Sequence, residues 1–314
     1  MGPTLDIVIV NWNSGNLVSE CIDSIGCSLN NKFELQRVVV VDNASVDDSI
    51  SNIKNEDLPL KIIKNSVNVG FGKACNQGAK GSNADYLLFL NPDTKLERNS
   101  LSNSLTFFSK KENSNIGILG IKQVNEFGEI NQNCARFPTP FSMISRSFGI
   151  DKLFPKLTNS HFMTEWDHDS NRIVDQVMGS FYLIRKDLFE MLGGYDERFF
   201  VYYEDLDLSL RAKKKGFSSF YLAETEIFHK GHGTTESVKS IRLFYNLRSK
   251  IIYAKKHFNV ISYFFITLTI LLFEPIARII FALSKGNIST VKEILEGYKM
   301  LIEDILYNKA YKDE

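Results

Sequence analysis

The chain is short of the features that would tie it to several large classes of protein. Its four cysteines, Cys21, Cys27, Cys75 and Cys134, form no CxxC pair and no zinc-finger spacing with histidine. Reduced thiols follow, and with them the expectation of a cytoplasmic protein. No GxGxxG follows the first apolar run and no GxxxxGK[ST] occurs anywhere, so a dinucleotide fingerprint and a P-loop are both missing. Excess charge is missing too: 37 basic residues face 37 acidic ones, which leaves no global electrostatic basis for nucleic acid as a partner. The start, MGPTLDIVIVNW, lacks the basic lead and long apolar core of a signal peptide, so no export is expected. The strongest apolar run, Val260 to Phe273, is shorter than the roughly 20 residues that cross a bilayer. Glu274-Pro275 interrupts it before IARIIFAL resumes, so the sequence predicts that it does not cross.

What remains is the composition of a folded protein with a substantial core. Its 314 residues are 44% hydrophobic and 24% charged, enough for one large domain or two closely joined ones. The first third alternates apolar runs with amphipathic stretches: LDIVIV, then a helix through Leu17 to Ile25; VVVV, then a helix near Asp48 to Ile53. LKII and a helix from about Gly72 to Ala79 follow, then YLLFL and a helix near Leu101 to Phe108. Such alternation predicts a mostly parallel sheet with helices on its faces, an α/β architecture of nucleotide-binding type. Between Ile116 and Val177 the periods loosen around Pro138, Pro140 and Pro155, which predicts a loop-rich region. A short strand after Phe220 leads into His229-Lys230-Gly231-His232-Gly233, and from about Ser240 the pattern is helical.

Ligands of such sheets bind beyond the carboxyl ends of the strands, and here each apolar run ends in polar residues. These are Asn11-Trp12-Asn13, Asp42-Asn43, Asn68-Val69-Gly70 and Asn91-Pro92-Asp93. Asn, Asp and Gly also make turns and caps, so one position means little, whereas four on one rim mark a candidate site. Gly70 and Gly72 lack side chains that would hold a ligand away from the backbone. A second concentration is GGYDERFFVYYEDLDLSLR, Gly193 to Arg211. There Phe199 to Tyr203 suit a pocket wall, while Glu204 and Asp205 open a helix, where acids also suit the dipole of any well-capped helix. Asp207 and Arg211 have the spacing of an i,i+4 pair. Arg185 is open to a phosphate, an acceptor or a structural partner; Trp12 and Phe181 read as core.

Taken in order, IVIVNWNSG, VVVVDNAS, NVGFGKACNQG, FLNPD, GSFYLIRKDLFEMLGGYDERFFVYYEDLDLSLRAKKKG and FHKGHGTT resemble the inverting family 2 glycosyltransferases of GT-A fold, especially the bacterial rhamnosyltransferase-like branch. The resemblance covers about the first three-quarters of the chain. It implies a nucleotide-sugar-binding half, 1–115, and an acceptor-binding and catalytic half, 116–237; the helical C-terminal region, 238–314, lies outside the strong match. It places Asp42 on the base or ribose of the donor, with Asn11, Asn43, Asn68, Gly70 and Asn91 around the nucleotide sugar. Asp93 matches the last acid of the family's metal-binding DxD, His229 a histidine that completes coordination in some members, and His232 a second candidate. The implied cofactor is a divalent cation, Mg2+ or Mn2+, with no organic cofactor. Asn91 stands where the first carboxylate of DxD would be, so a hard cation has one anionic ligand fewer and depends more on diphosphate oxygens.

The implied chemistry is a single displacement at the anomeric carbon, with Asp205 as the base and Glu204 as its alternative. The resemblance favours rhamnose, from dTDP-rhamnose, with another hexose or galactofuranose from a UDP-sugar as the alternative. It implies a glycan or lipid-linked acceptor in bacterial surface polysaccharide synthesis, such as O-antigen. Two other readings stand beside it. A nucleotidyltransferase would need a basic glycine-rich loop after the first strand, and NWNSGN contains no Lys or Arg. A non-catalytic sugar-binding protein is favoured by Asn91 and opposed by Asp93, Glu204, Asp205 and His229. The basic stretch Arg248 to His257 next to the apolar run leaves two roles open: peripheral contact with the inner face of the cytoplasmic membrane, or packing, against the catalytic domain or in a homo-oligomer.

Overall fold

Strands buried on both faces need apolar side chains at every position, and the N-terminal runs meet that demand. The computed structural model describes residues 2–54, 57–150, 161–231 and 239–307. In chain order its elements are β1 (Thr4–Asn11), α1 (Leu17–Ser28), β2 (Glu34–Asp42), β3 (Leu60–Lys64), α2 (Phe71–Ala79), β4 (Tyr86–Leu90), β5 (Thr94–Leu96), α3 (Ser100–Ser109) and β6 (Ile116–Val124). There follow β7 (Cys134–Ala135), α4 (Pro140–Ser147), β8 (Arg172–Val174), β9 (Gln176–Val177), β10 (Phe181–Arg185), α5 (Lys186–Met191), α6 (Glu204–Lys214) and β11 (Ser218–His229). The C-terminal helices are α7 (Lys239–His257), α8 (Val260–Leu272), α9 (Glu274–Ser284) and α10 (Ile288–Tyr307).

One sheet runs in the order β3-β2-β1-β4-β10-β6-β11-β5, with β8 paired to β11. Strands β1, β2, β3 and β4 are mutually parallel, β10 is antiparallel to both β4 and β6, and β11 is parallel to β6. The carboxyl ends of β1, β2, β4, β6 and β11 therefore share one rim. Alternation assigns the two faces: Ile7 and Ile9 pack with Val18, Ile22, Leu101 and Leu105, while Val8 and Val10 pack with Ala74, Cys75, Leu208 and Ala212. This is the α/β architecture of mostly parallel sheet, flanking helices and helical C-terminal extension that the sequence predicts.

Three local expectations differ from the structure. Asp48 to Ile53 forms turns rather than a helix, because Asp47 accepts the backbone N–H and hydroxyl of Ser49 and so competes with helical bonding. The region predicted to be loop-rich opens with β6, a central strand whose apolar run is interrupted by glycines; a Cβ on Gly120 would lie 2.6 Å from that of Val177. The short strand near Phe220 is 12 residues long.

Helix α2 lies so close to the sheet that a Cβ on Gly78 would meet Val8 Cγ1 at 2.4 Å. Gly78→Ala is therefore expected to cost about 1 to 3 kcal/mol in urea unfolding, because the helix must lift from a packed face.

The chain divides into two units, one of Met1–Arg136, Phe162–Glu197 and Glu204–Thr234, the other of Phe137–His161, Arg198–Tyr203 and Thr235–Glu314. The first contains the sheet. In the second, Glu274 Oε2 accepts from Lys250 Nζ at 2.9 Å and from Ser147 Oγ at 2.8 Å, and Glu274 Oε1 accepts from Arg278 Nη2 at 2.7 Å. Pro275 sits in the first turn of α9, where its missing N–H removes no helical bond. The apolar segment consequently continues through Glu274: Val260–Ser284 is 25 residues with mean hydropathy 2.0, long and apolar enough by length and composition to cross a membrane, so shortness of the run no longer supports the expectation that it does not cross.

Candidate active site

The strand ends carry the site. Register places Asn11 beside Asp42, and the Asn11 amide donates to Asp42 Oδ1 at 2.9 Å. The same amide reaches Ser45 Oγ at 3.0 Å and Ser49 Oγ at 2.9 Å, and its carbonyl oxygen accepts from Ser14 Oγ. With no exposed surface and these partners, Asn11 holds Asp42 in place rather than offering an amide to a ligand. Asp42 itself is 6% exposed, and its second oxygen is 3.4 Å from the Ser45 N–H. Asn43 donates to Gly70 O at 3.2 Å and accepts from Asn65 at 2.9 Å, which ties the end of β2 to the turn before α2.

That turn uses Asn68 and Gly70 together. Asn68 Oδ1 accepts the Gly70 N–H at 3.0 Å, and Gly70 has φ +89° and ψ 164°, a conformation open almost only to glycine. Gly72 has a different role from the ligand approach expected of it: a Cβ there would lie 3.1 Å from Tyr195 Cβ and 3.6 Å from Glu204 Cβ. It brings α2 against the start of α6.

On the far side of β4, the Asn91 carbonyl accepts from Thr94 N and Thr94 Oγ1, closing the Asn91-Pro92-Asp93 turn. Pairing of Thr94 with His229 across β5 and β11 then sets Asp93 Oδ1 3.4 Å from His229 Nε2. Among the described residues no group of three or more His, Cys, Asp and Glu could hold a metal. One carboxylate and one imidazole suit a divalent cation whose remaining oxygen ligands come from a bound diphosphate and water. His232 lies outside the described residues.

The acids of α6 reach the same rim through one loop. Gly179 donates its N–H to Asp205 Oδ2 at 3.0 Å, and the next residue, Ser180, accepts the Asn91 N–H through its carbonyl at 3.1 Å. Asp205 Oδ1 accepts from Leu206 N at 2.7 Å. Burial pushes the Asp205 carboxyl up, and these two N–H groups and Gln176 oppose the shift. Glu204 differs: burial pushes it well up, the neighbouring Asp205 adds to the shift, and its Oε2 has no hydrogen-bond partner among the described residues. The two N–H donors favour the anion at Asp205, and no donor among the described residues reaches Glu204 Oε2. Two left-handed residues, Tyr202 at φ +67° and Tyr203 at +70°, precede the helix, a backbone strain of about 1 kcal/mol or more each.

Several residues beyond the rim motifs resolve differently. Phe200 stacks on Tyr245 at 4.2 Å and Tyr203 lies against Tyr253, so the expected pocket wall packs on α7 instead. Asp207 and Arg211 form the expected i,i+4 pair at 2.7 Å, and Arg211 also donates to Leu192 O and Gly194 O, fixing the Gly193-Gly194 turn. Arg185 is structural, donating to Ile116 O, Phe108 O and Asn113 O. Sequence reasoning missed Ser45, Ser49, Gln176, Gly179 and Ser180. VDNAS and GSF, which flank apolar runs, signalled Ser45, Gly179 and Ser180, and no motif marked Ser49 or Gln176.

Residues 6–167, just over half of the chain, match Glycosyl transferase family 2. The chain is 24% identical over 273 residues to the N-acetylglucosaminyl-diphospho-decaprenol L-rhamnosyltransferase of Mycobacterium tuberculosis, covering 82% of this chain and 86% of that one. It is 26% identical over 257 residues to rhamnosyltransferase WbbL of Escherichia coli, covering 79% and 91%. In fold it is similar to the mannosyltransferase PcManGT from Pyrobaculum calidifontis in complex with GDP-Man and Mn2+, with TM-score 0.56 and 13% identity over 98% of this chain and 89% of that one. A parallel sheet with its acids at the carboxyl rim and a family match that starts in β1 lead to one conclusion: the chain belongs to glycosyl transferase family 2 and is a glycosyltransferase of GT-A fold.

Proposed function

We propose that this enzyme is a rhamnosyltransferase: it moves L-rhamnose, with inversion, from dTDP-rhamnose to a lipid-linked glycan on the cytoplasmic face of the membrane, as a step in surface polysaccharide synthesis such as that of O-antigen. In this reading 1–115 handles the donor, 116–237 the acceptor and the chemistry, and 238–314 is a helical extension. The choice of sugar is supported by the names of the two rhamnosyltransferases it resembles, and that of a lipid-linked acceptor by the name of the Mycobacterium tuberculosis one. The single observation that carries the chemistry is the Gly179-Ser180 loop, bonded on one side to Asp205 and on the other to Asn91 at the head of the Asn91-Pro92-Asp93 turn.

Asp42, held by Asn11 and beside Asn43, accepts hydrogen bonds from the base or ribose, and the Asn68-Gly70 turn lies alongside. Asp205 accepts the proton of the acceptor hydroxyl as its oxygen bonds to the anomeric carbon. The bond from that carbon to the diphosphate oxygen breaks with its electron pair going to the nucleoside diphosphate. Asp93 and His229 are the residues that would hold a divalent cation, whose chemistry is to neutralise charge gained by the departing diphosphate. Burial raises both carboxyls, Glu204 the more strongly, and the N–H groups that reach Asp205 favour its anion of the two.

A panel of dTDP-rhamnose, UDP-galactofuranose, UDP-galactose and UDP-N-acetylglucosamine, each with Mg2+, Mn2+ or EDTA, tests the reading. The expected result is binding and slow nucleoside diphosphate release from dTDP-rhamnose alone, stopped by EDTA. Turnover of a UDP-sugar instead would keep the enzyme and change the sugar, and tight binding without release under any metal or acceptor would favour a binding protein.

A further inference from the structure

We propose that α8 and α9 are an in-plane membrane anchor, a helical pair that lies in the headgroup region of an anionic bilayer and does not span it. The inference deepens the proposed function, resting on it only for the source of the acceptor; the surface itself is read from this unit alone. One side of the pair is open and apolar, with Val260 80%, Ile261 70%, Phe264 58%, Ile276 56%, Ile280 62% and Leu283 56% exposed. The other side is packed, with Ile266, Thr269, Ile270, Glu274 and Ala282 buried. A packed stripe opposite an exposed apolar face suits a helix pair that lies in an interface.

The middle of the segment argues the same way. Glu274 lies near the middle of Val260–Ser284, where a span would cross the centre of the bilayer, the costliest depth for charge, and Arg278 lies further along the same segment. Both are tied into the unit: Glu274 binds Lys250 of α7 and Ser147 of α4, and Arg278 binds Glu274. Drawing the segment across a bilayer would break that network or carry it into hydrocarbon.

Charge complementarity selects an anionic lipid surface as the occupant. From Phe258 to Ser284 the only acid is Glu274, which the network already neutralises. Lys255, Lys256 and His257 stand immediately before the apolar pair and Lys285 immediately after it, with Lys285 Nζ 4.7 Å from the Phe281 ring. Cations at both ends of an apolar face are what a layer of phosphate headgroups attracts.

Flotation of the purified full chain with phosphatidylcholine vesicles, with and without phosphatidylglycerol, measures the binding. The expected result is flotation with the anionic vesicles, weakened by salt. A double variant, Phe264→Glu with Ile280→Glu, should bind on the order of tenfold less while keeping its circular dichroism, since both positions are exposed. Depth comes from Phe264→Trp, Leu272→Trp and Phe281→Trp with lipids brominated near the headgroup or near the chain end, after subtraction of the native signal. All three should be quenched best by the shallow label. Strongest quenching of Leu272→Trp by the deep label would overturn in-plane docking in favour of a span. Absence of flotation, with a self-associated species in sedimentation that the double variant dissolves, would assign the face to a second copy of the chain. Absence of both would also overturn the proposal. Flotation does not depend on sugar transfer, so failure of the donor panel and failure of docking are separate outcomes.

Discussion

Asp205→Asn is expected to lower kcat by about 100- to 10,000-fold while leaving donor binding intact, and Glu204→Gln to lower it by less than about tenfold. The two residues are adjacent in sequence but differ in hydrogen bonding. Asp205 receives N–H groups from Gly179 and Leu206, which stabilise its anion, whereas Glu204 Oε2 receives none among the described residues. Glutamine reproduces a protonated glutamate closely, so little changes at Glu204; asparagine cannot accept the acceptor's proton, so the chemical step fails at Asp205. Equal losses in both variants, read by coupled nucleoside diphosphate release, would show that the negative charge is shared differently.

The same pair makes a stability prediction. Burial raises the folded-state pKa of Glu204 well above its ordinary 4.5, so the unfolded chain ionises this group at a pH where the folded chain does not. Glu204 thus costs stability progressively as pH rises from its ordinary value to its raised one. Glu204→Gln removes that cost, and its urea midpoint relative to the parent should improve between pH 4 and pH 8. A constant difference would mean that Glu204 titrates alike in both states.

Glu274→Gln should cost the protein about 3 to 5 kcal/mol at neutral pH, because it leaves Lys250 and Arg278 without their shared carboxylate. Burial alone would raise the Glu274 carboxyl, but Lys250 and Arg278 outweigh it and hold the pKa at about 2. Its contribution is therefore fully present above its ordinary 4.5 and is lost as pH falls through that window toward 2. Unfolding curves of parent and variant should diverge above pH 5 and converge near pH 2. A double change, Lys250→Met with Glu274→Leu, should recover most of the loss, as replacement of buried ion pairs by apolar side chains often does. Superimposable curves at all pH values would show that the network contributes nothing net.

Much of this molecule follows from local pattern. The β-branched alternation of LDIVIV and VVVV specifies strands, because side chains two apart share a face and Ile7 and Ile9 must enter one core while Val8 and Val10 enter the other. Asn, Asp and Gly after each run follow from the same logic, since a buried strand must end in residues able to turn. Asp207 and Arg211 are legible at a distance of one helical turn.

Other features depend on residues remote in the chain. Nothing within IGILGIKQV marks it as a central strand, because Gly120 earns its place only against Val177. Asn11 looks like a ligand contact until Ser45 and Ser49 are seen to occupy its amide. Glu274 looks like an interruption until Lys250 and Ser147 surround it. By itself the sequence determined β1, β2, β3 and β4, their inward faces and the polar rim, since propensity and periodicity act over a few residues. Only the tertiary structure decided that Asp93 meets His229, that Gly179 holds Asp205 and that β10 lies antiparallel between β4 and β6. Those contacts join segments far apart in the chain, and shared burial and unsatisfied hydrogen bonds select them rather than any preference within one segment.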